Sequence, residues 1–247
     1  MSQNMFSQEE LNKFQAIILA GGRGTRLSPL TDTTPKPLLR IKNRPIIDYL
    51  IDQLRLCNLR DITIVVRYCG DQISKYLGDK HNCVTCDDST MIGSFVFAAK
   101  KSSKDYLVGL SGDSLLVNQS LIYTIEKHLD RGSDITLTLS RKDDSRKKWR
   151  YVVTKEGFLE DILVTDNFNN LERSGLIINK DVVDYLDISQ SSMERYKSYS
   201  TGWNLLLKLA SDKKMRIFVS FQDFPVHNIN TAQDLIKAES FISEYLV

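Results

Sequence analysis

Residues 15–39 read QAIILAGGRGTRLSPLTDTTPKPLL, and this stretch decides the fold of the chain. Its first six residues are Gln15 followed by five apolar residues, which predicts a buried strand over residues 15–20. Gly21, Gly22 and Gly24 follow at once, and glycine lets the backbone turn tightly and approach a ligand closely. Backbone N–H groups in such a turn can surround a phosphate. The stretch therefore predicts a strand that leads into a phosphate-binding loop.

Two better-known glycine motifs do not match this loop. A Walker loop ends in Gly-Lys followed by Ser or Thr, whereas Gly24 is followed by Thr25 and Arg26. The dinucleotide fingerprint needs a third glycine where this chain has Leu27. Arg26, with its permanent charge and planar fork, is then a candidate for binding phosphate oxygens. The plain alternative is an ordinary turn in which Arg26 and Lys36 are merely exposed, and the combination of three glycines with both cations makes it the weaker interpretation.

Beyond this stretch, short β-like runs alternate with amphipathic helical patterns, which favours an α/β fold with a largely parallel sheet covered on both faces. Strands are predicted at residues 61–66, near 83, and at 106–110, 134–139, 151–154, 159–164, 175–178 and 215–221. Helices are predicted at residues 45–57, 71–77, up to 100, 119–129, 202–210 and 231–245, with a short capped helix after Ser7. We expect an N-terminal extension of residues 1–14 and a single domain of residues 15–247, with a nucleotide-binding half (15–140) and an acceptor-binding half (141–247).

Composition and charge exclude several classes of protein. The 247 residues are 42% hydrophobic and 26% charged, which is typical of a globular protein with a sizeable core. A formal net charge of +2 gives no general attraction to nucleic acid or to an anionic membrane. Residues 1–14 do not form a secretory signal, and no stretch approaches the roughly 20 apolar residues that span a bilayer. We expect a cytoplasmic protein with reduced cysteines, in which residues 83–86 form a strand rather than half of a zinc site.

Residues 21–39 resemble, almost letter for letter, the signature GGxGTRLxPLTxxxPKPLL of the sugar-phosphate nucleotidyltransferases, a family that includes the nucleotide-sugar pyrophosphorylases. The resemblance is most specific over residues 15–55 and implies a Rossmann-like mixed, mostly parallel sheet sandwiched by helices, the fold of nucleotide-diphospho-sugar transferases. It implies that Arg26 holds the leaving pyrophosphate and that Lys36 neutralises the α-phosphate and the acceptor phosphate. It also implies a nucleotide-binding loop made of Ala20, Gly21, Gly22, Gly24 and Thr25.

Members of this family use Mg²⁺, and two positions correspond to their metal ligands. Asp113 follows the predicted strand at residues 106–110, and a carboxylate at the carboxyl end of a strand suits a cation that prefers oxygen. The family pattern Asp-Ile-Gly-Thr-Pro-Glu-Asp-Leu corresponds to residues 228–235, NINTAQDL, so Asn228 replaces the usual ligand Asp. An amide oxygen still binds Mg²⁺, but the lost charge weakens the site and leaves a non-catalytic paralogue open.

The substrate positions match the family less closely. The resemblance implies that the nucleobase lies against residues 86–94, through Asp88 and Gly93, without identifying the base. Gly175 corresponds to a family Ala-Gly strand on the acceptor side, while the Glu-Lys-Pro motif of sugar-specific relatives is missing. Residues 140–186, with Trp149, and the helix start at Trp203 are similar to the phosphocholine cytidylyltransferase branch. Aromatic faces of this kind bind quaternary ammonium groups by cation–π attraction, and packing in the core is the alternative for both tryptophans.

These residues predict a Mg²⁺-dependent nucleotidyltransferase whose partners are a nucleoside triphosphate and a small phosphorylated acceptor. An ionised acceptor phosphate needs no strong base, so catalysis would be positioning and charge neutralisation. Three hypotheses follow: transfer to a sugar 1-phosphate or similar phosphomonoester, cytidylyl transfer to phosphocholine or another phospho-amino compound, and a non-catalytic nucleotide-binding paralogue. Neither nucleic acid nor membrane is expected as a partner, and the sequence does not decide whether the protein is a homo-oligomer.

Overall fold

The computed structural model describes residues 6–141, 149–164, 171–186, 188–195 and 202–246. Numbered in chain order, the strands are β1 Phe14–Leu19, β2 Arg40–Ile41, β3 Arg44–Pro45, β4 Ile62–Val66, β5 Asn82–Thr85, β6 Tyr106–Ser111, β7 Ser114–Leu116, β8 Ile135–Arg141, β9 Trp149–Val153, β10 Leu159–Val164, β11 Leu171–Asn179, β12 Ile217–Gln222 and β13 Val226–Asn228. The α-helices are α1 Gln8–Leu11, α2 Ile46–Leu56, α3 Gly70–Leu77, α4 Met91–Lys100, α5 Asn118–Arg131, α6 Val182–Tyr185, α7 Gln190–Arg195, α8 Trp203–Asp212 and α9 Ala232–Tyr245.

One sheet organises the described residues, with its seven strands in the order β12-β8-β11-β6-β1-β4-β5. Strand β1 runs parallel to its neighbours β4 and β6, and β5 continues the parallel set beyond β4. Strand β11 runs antiparallel to β6 and β8, while β12 pairs in parallel with β8. The predicted mixed, mostly parallel sheet is thus confirmed, and a single antiparallel strand makes it mixed.

Apolar side chains are buried on both faces of the sheet, because successive residues of a strand point to opposite sides. Ile17 of β1 belongs to a core cluster with Phe95 of α4 and Leu206 of α8. Its neighbour Ile18 belongs to a second cluster with Leu50 of α2. Helices therefore cover both faces, as predicted for a Rossmann-like sandwich.

The sequence pattern located most elements to within a few residues. The strand predicted at 15–20 is β1, the helix at 45–57 is α2, and the helix at 119–129 is α5. The predicted cap after Ser7 is confirmed: Ser7 Oγ accepts the backbone N–H of Glu10 at 3.1 Å, and Glu10 Oε2 accepts that of Ser7 at 2.8 Å. The short pairs β2–β3 and β7–β13 were not predicted, since two or three residues are too few to show a period.

The described part of the expected N-terminal extension packs against the sheet. Leu11, at the end of α1, is 6% exposed and belongs to the same core cluster as Phe14. The division of the chain into a nucleotide-binding and an acceptor-binding half stays a prediction. No helix among the described residues has the length and apolar character needed to cross a membrane.

Candidate active-site cleft

A cleft of about 320 Å³ lies at the carboxyl ends of β1, β4 and β6. In open α/β sheets, ligands bind at this edge because the loops after parallel strands converge there. The lining residues come from the loop after β1, from the loops after β4, β5 and β6, and from Asn230 just before α9. The structure therefore brings the predicted loop residues Ala20, Gly21, Gly22, Gly24 and Thr25 to one cavity.

The glycine loop is held by close packing against the segment that follows it. Gly24 has a φ of 65°, a left-handed conformation that glycine adopts without steric cost. A methyl group added at Gly24 would lie 3.1 Å from Thr31 Cγ2 and 3.3 Å from Lys36 Cβ. The Thr31 hydroxyl donates to the Gly24 carbonyl at 2.9 Å, and Thr31 itself is buried. The shape of the loop is thus fixed by its own continuation towards Lys36.

A second contact with this segment comes from the residues after β4. The hydroxyl of Tyr68 lies 2.7 Å from the Asp32 carbonyl and 3.1 Å from that of Thr31, and Gln72 Nε2 donates to the Thr33 carbonyl at 2.8 Å. Burial raises the pKa of the Tyr68 hydroxyl, which keeps it in the neutral form that donates. Hydrogen bonds from residues that follow β4 therefore hold the signature stretch in place.

Lys36 and Asp113, both predicted site residues, form an ion pair inside the cleft. Lys36 begins a 3₁₀ turn directly after Pro35, and only 8% of the residue is exposed. Asp113 follows β6, and 27% of its side chain is exposed. A mostly buried lysine side chain and a partly exposed carboxylate thus contact each other where the loops after β1 and β6 meet.

Asn230, which no sequence motif singled out, contacts both predicted cations through one side-chain oxygen. Its Oδ1 accepts from Arg26 Nη2 at 2.6 Å and lies 3.4 Å from Lys36 Nζ. Its backbone N–H donates to Asp234 Oδ2 at 2.9 Å, within the capping box of α9. In the family pattern this position is a glycine, so the motif gave no reason to expect a side chain here.

The ladder between β7 and β13 places Asn228 beside Asp113. Asn228 pairs with Ser114 in this ladder and accepts a hydrogen bond from its hydroxyl. The backbone N–H of Ile229 donates to the Asp113 carbonyl at 3.0 Å. The described residues contain no cluster of three or more Cys, His, Asp or Glu that could hold a metal. Asp113 lines the cleft, whereas Asn228 is not among the lining residues. A carboxylate and an amide oxygen are donors of the kind that Mg²⁺ takes, with its shell completed by water and phosphate.

Asp88 and Gly93, predicted to contact the base, are not among the residues that line the cleft, although their sequence neighbours are. Asp88 Oδ1 accepts from the backbone N–H of Thr90 at 2.7 Å and from its hydroxyl at 2.6 Å. A methyl group added at Gly93 would lie 2.0 Å from Asp88 Oδ2, so this glycine makes room for the carboxylate. The residues of this loop that line the cleft are Ser89, Thr90, Met91 and Ser94.

Trp203 and Gly175, two of the residues expected to contact the acceptor, are buried in the core and are not among the described residues that line this cleft. Trp203 is 3% exposed and packs edge-to-face on Phe95, with ring centroids 5.1 Å apart, because it starts the apolar helix α8. Gly175 is buried where α5 crosses the sheet, and an added methyl would lie 2.3 Å from Thr124 Oγ1. Trp149 starts β9, and its side chain lies outside the described residues.

The electrostatics of the cleft suit an anionic ligand. Its lining contains three cations, Arg26, Lys36 and Arg67, against one carboxylate, Asp113. The described lining contains no Cys or His. Backbone N–H groups of the glycine loop and fixed cations are the groups that stabilise phosphate charge during transfer.

Comparison with known proteins agrees with this geometry. The family model described as MobA-like NTP transferase domain matches residues 16–173. A bifunctional sugar-1-phosphate nucleotidylyltransferase/acetyltransferase from Sulfurisphaera tokodaii is 29% identical over 78% of this chain, which spans only 48% of that relative. A choline-phosphate cytidylyltransferase from Streptococcus pneumoniae is 26% identical over 92% of this chain and 98% of its own. The inositol-1-phosphate CTP transferase structure from T. maritima, 21% identical, shares the fold with a TM-score of 0.75 over 93% of this chain and 95% of its own. These matches confirm the resemblance stated from residues 15–39.

Proposed function

The chain belongs to the family of MobA-like NTP transferase domains, and we propose that it transfers a nucleoside monophosphate from a nucleoside triphosphate to a sugar 1-phosphate or similar small phosphomonoester, with release of pyrophosphate. One observation carries this proposal: a single cleft joins the glycine loop to Arg26, Lys36 and Asp113. The chain spans about half the length of the sugar-phosphate relative above, so the activity of that protein is proposed for this chain and not inferred from the match alone.

The reaction needs positioning more than proton transfer. An oxygen of the acceptor phosphate attacks the α-phosphorus, and the bond from that phosphorus to the bridging oxygen of the β-phosphate breaks. The electron pair leaves with pyrophosphate, and no proton must be removed from an ionised acceptor. The glycine loop would orient the triphosphate, Arg26 would hold the departing pyrophosphate, and Lys36 would neutralise charge at the α-phosphate and at the acceptor.

The contacts that hold Lys36 support the proposed role towards both substrates. The ion pair with Asp113 and the contact with Asn230 Oδ1 direct its ammonium group towards the junction of the loops after β1 and β6. Asp113 and the amide oxygen of Asn228 are the oxygen donors that would hold Mg²⁺, which when bound supplies further neutralisation of phosphate charge.

A second acceptor class is favoured by one specific comparison. The choline-phosphate cytidylyltransferase matches this chain over 98% of its own length, whereas the sugar-phosphate relative extends well beyond the match. Phosphocholine or another phospho-amino compound is therefore the second candidate. Since Trp203 is buried in the core, it does not supply the ammonium contact that the sequence suggested.

The test is a substrate panel read out as pyrophosphate release. The protein is incubated with Mg²⁺ and CTP, UTP, dTTP, GTP or ATP, each against a set of sugar 1-phosphates and phosphocholine. Release with a sugar 1-phosphate supports the first proposal, and release with phosphocholine alone supports the second. Absence of release from every pair would reject both and favour the non-catalytic paralogue. The Mg²⁺ requirement is tested by measuring pyrophosphate release after the metal is removed with a chelator. The cytoplasmic location stays a prediction.

A further inference from the structure

A third cation reaches the cleft from outside the signature stretch. Arg67 directly follows β4, is exposed, and lines the cavity. A methyl group added at Gly21 would lie 3.1 Å from Arg67 Cβ and 3.4 Å from its backbone nitrogen. The Arg67 side chain therefore starts in contact with the glycine loop, although no motif in the sequence drew attention to it.

Arg67 lies on the opposite side of that loop from the Lys36–Asp113 pair. Strand β1 has β4 on one side and β6 on the other, with Leu19 level with Val65 in β4 and with Ser111 in β6. Arg67 extends the β4 side and Asp113 extends the β6 side. A phosphate chain lying over the glycine loop would thus have a cation on each flank.

The two other cations of the cleft are already engaged with protein groups. Lys36 pairs with Asp113, and Arg26 donates to Asn230. Among the ion pairs formed by the described residues, none includes Arg67. A guanidinium offers a planar fork of donors that matches phosphate oxygens two at a time. Arg67 is therefore the cation of this lining whose binding capacity protein partners use least.

We propose that Arg67 binds the phosphate chain of the nucleoside triphosphate from the β4 side and so determines nucleotide affinity. The inference rests on the proposed function and adds a residue to it. Because Arg67 lies across the loop from Lys36 and Asp113, it holds the nucleotide equally in the ground state and the transition state. Loss of such an interaction raises the Kd and KM for nucleotide and leaves kcat nearly unchanged.

The experiment compares Arg67→Gln and Arg67→Lys with the matched control Arg60→Gln. Arg60 is also an exposed arginine, and it precedes β4 at the opposite edge of the sheet. Isothermal titration calorimetry with Mg²⁺ measures binding of inorganic tripolyphosphate, of the five nucleoside triphosphates and of the corresponding nucleosides. Thermal melting shows that all variants fold, and steady-state kinetics separates KM from kcat.

Arg67→Gln should weaken binding of triphosphates and of tripolyphosphate about tenfold, the scale of one charge-assisted contact. Arg67→Lys should recover part of the loss, and Arg60→Gln should bind as the wild type does. Unchanged tripolyphosphate binding in Arg67→Gln overturns the assignment, whether or not nucleoside binding falls. If no acceptor gives turnover but tripolyphosphate binding still depends on Arg67, the proposed function fails while this assignment stands.

Discussion

Replacement of Lys36 by alanine should reduce kcat/KM by at least about a hundredfold. The Lys36 side chain is 10% exposed, so its charge acts in surroundings with an effective dielectric nearer 20 than 80. A unit charge about 4 Å from a phosphate oxygen is then worth about 4 kcal/mol, of which only the part that grows in the transition state accelerates the reaction. Donors to developing charge typically contribute about 2.7–4 kcal/mol, and each 1.36 kcal/mol is tenfold.

The main competing explanation is that Lys36 merely neutralises Asp113. In that case, Lys36→Ala would slow the enzyme because an unpaired Asp113 carboxylate repels the substrate phosphates. Because Asp113 is itself a proposed Mg²⁺ ligand, the two explanations are separated within Lys36→Ala by measuring kcat and the Kd for nucleotide independently. A direct role for Lys36 predicts a fall in kcat at saturating substrate, whereas repulsion by Asp113 predicts weaker nucleotide binding with kcat nearly unchanged.

The assay is continuous detection of pyrophosphate with the nucleotide and acceptor that the substrate panel identifies. Lys75→Ala, an exposed lysine of α3, is the control for loss of one positive charge, and urea unfolding of each variant controls for stability. We expect a loss of about 1–3 kcal/mol in the free energy of unfolding, because Lys36 is largely buried and its removal leaves the partly exposed Asp113 carboxylate unpaired. A kcat of Lys36→Ala within tenfold of wild type at saturating substrate would refute the assigned role.

Three further predictions use residues outside the ion pair. Asn230→Ala removes the oxygen that accepts from Arg26 Nη2 at 2.6 Å, so kcat/KM should fall about tenfold. The melting temperature should stay unchanged, because the hydrogen bond from the backbone N–H of residue 230 to Asp234 remains. Unchanged kinetics would contradict this prediction. Gly175→Ala places a methyl 2.3 Å from Thr124 Oγ1 and 2.7 Å from Thr138 Oγ1, so urea unfolding should show a loss of about 1–3 kcal/mol with unaltered turnover per folded molecule; a selective rise in acceptor KM would restore Gly175 to the substrate site. Burial lowers the pKa of His128 from 6.5 to about 4. As the pH falls from 6.5 to about 4, the unfolded chain therefore takes up a proton at this residue while the folded protein does not. The free energy of unfolding should drop over this pH range by up to about 3 kcal/mol. His128→Gln should lose less stability between pH 7 and 4.5, and an identical slope would exclude this origin.

The fold was predictable because its determinants are local and periodic. The mainly apolar run at residues 15–20 predicts a strand, and the apolar stripe of α2 predicts a helix. Neither prediction needs information about the neighbouring elements. The antiparallel direction of β11 was not predictable in this way, since strand pattern carries no information on direction. The three-residue strands β7 and β13 gain their structure from pairing with each other rather than from their own sequence.

The candidate site was predictable where a motif carries it and not elsewhere. The signature named Arg26 and Lys36, and the end of β6 named Asp113, and the structure brings all three to one cleft. Arg67 and Asn230 each stand alone as ordinary polar residues, and only the sheet order and the start of α9 show that they face the cleft.

Trp203 and Gly175 lie in the core rather than on the cleft for a common physical reason. Trp203 fills the space beside Gly109, where an added methyl would lie 2.7 Å from the indole ring, and Gly175 admits the helix α5. Both packing roles arise from contacts between elements that are distant in sequence. Residue type alone therefore suggested substrate contacts for residues that fill or leave space in the core.

The bond from Arg26 to Asn230 joins positions that are 204 residues apart, and the Asp234 carboxylate anchors its far end. A ribosome makes the glycine loop about 200 residues before the anchoring turn, so a nascent chain can fold its first strands long before it can bring these groups together. The contact between Arg26 and Asn230 therefore forms only after residue 230 has been made, and a premature stop upstream of that residue would leave the glycine loop without the amide oxygen that contacts Arg26 and Lys36.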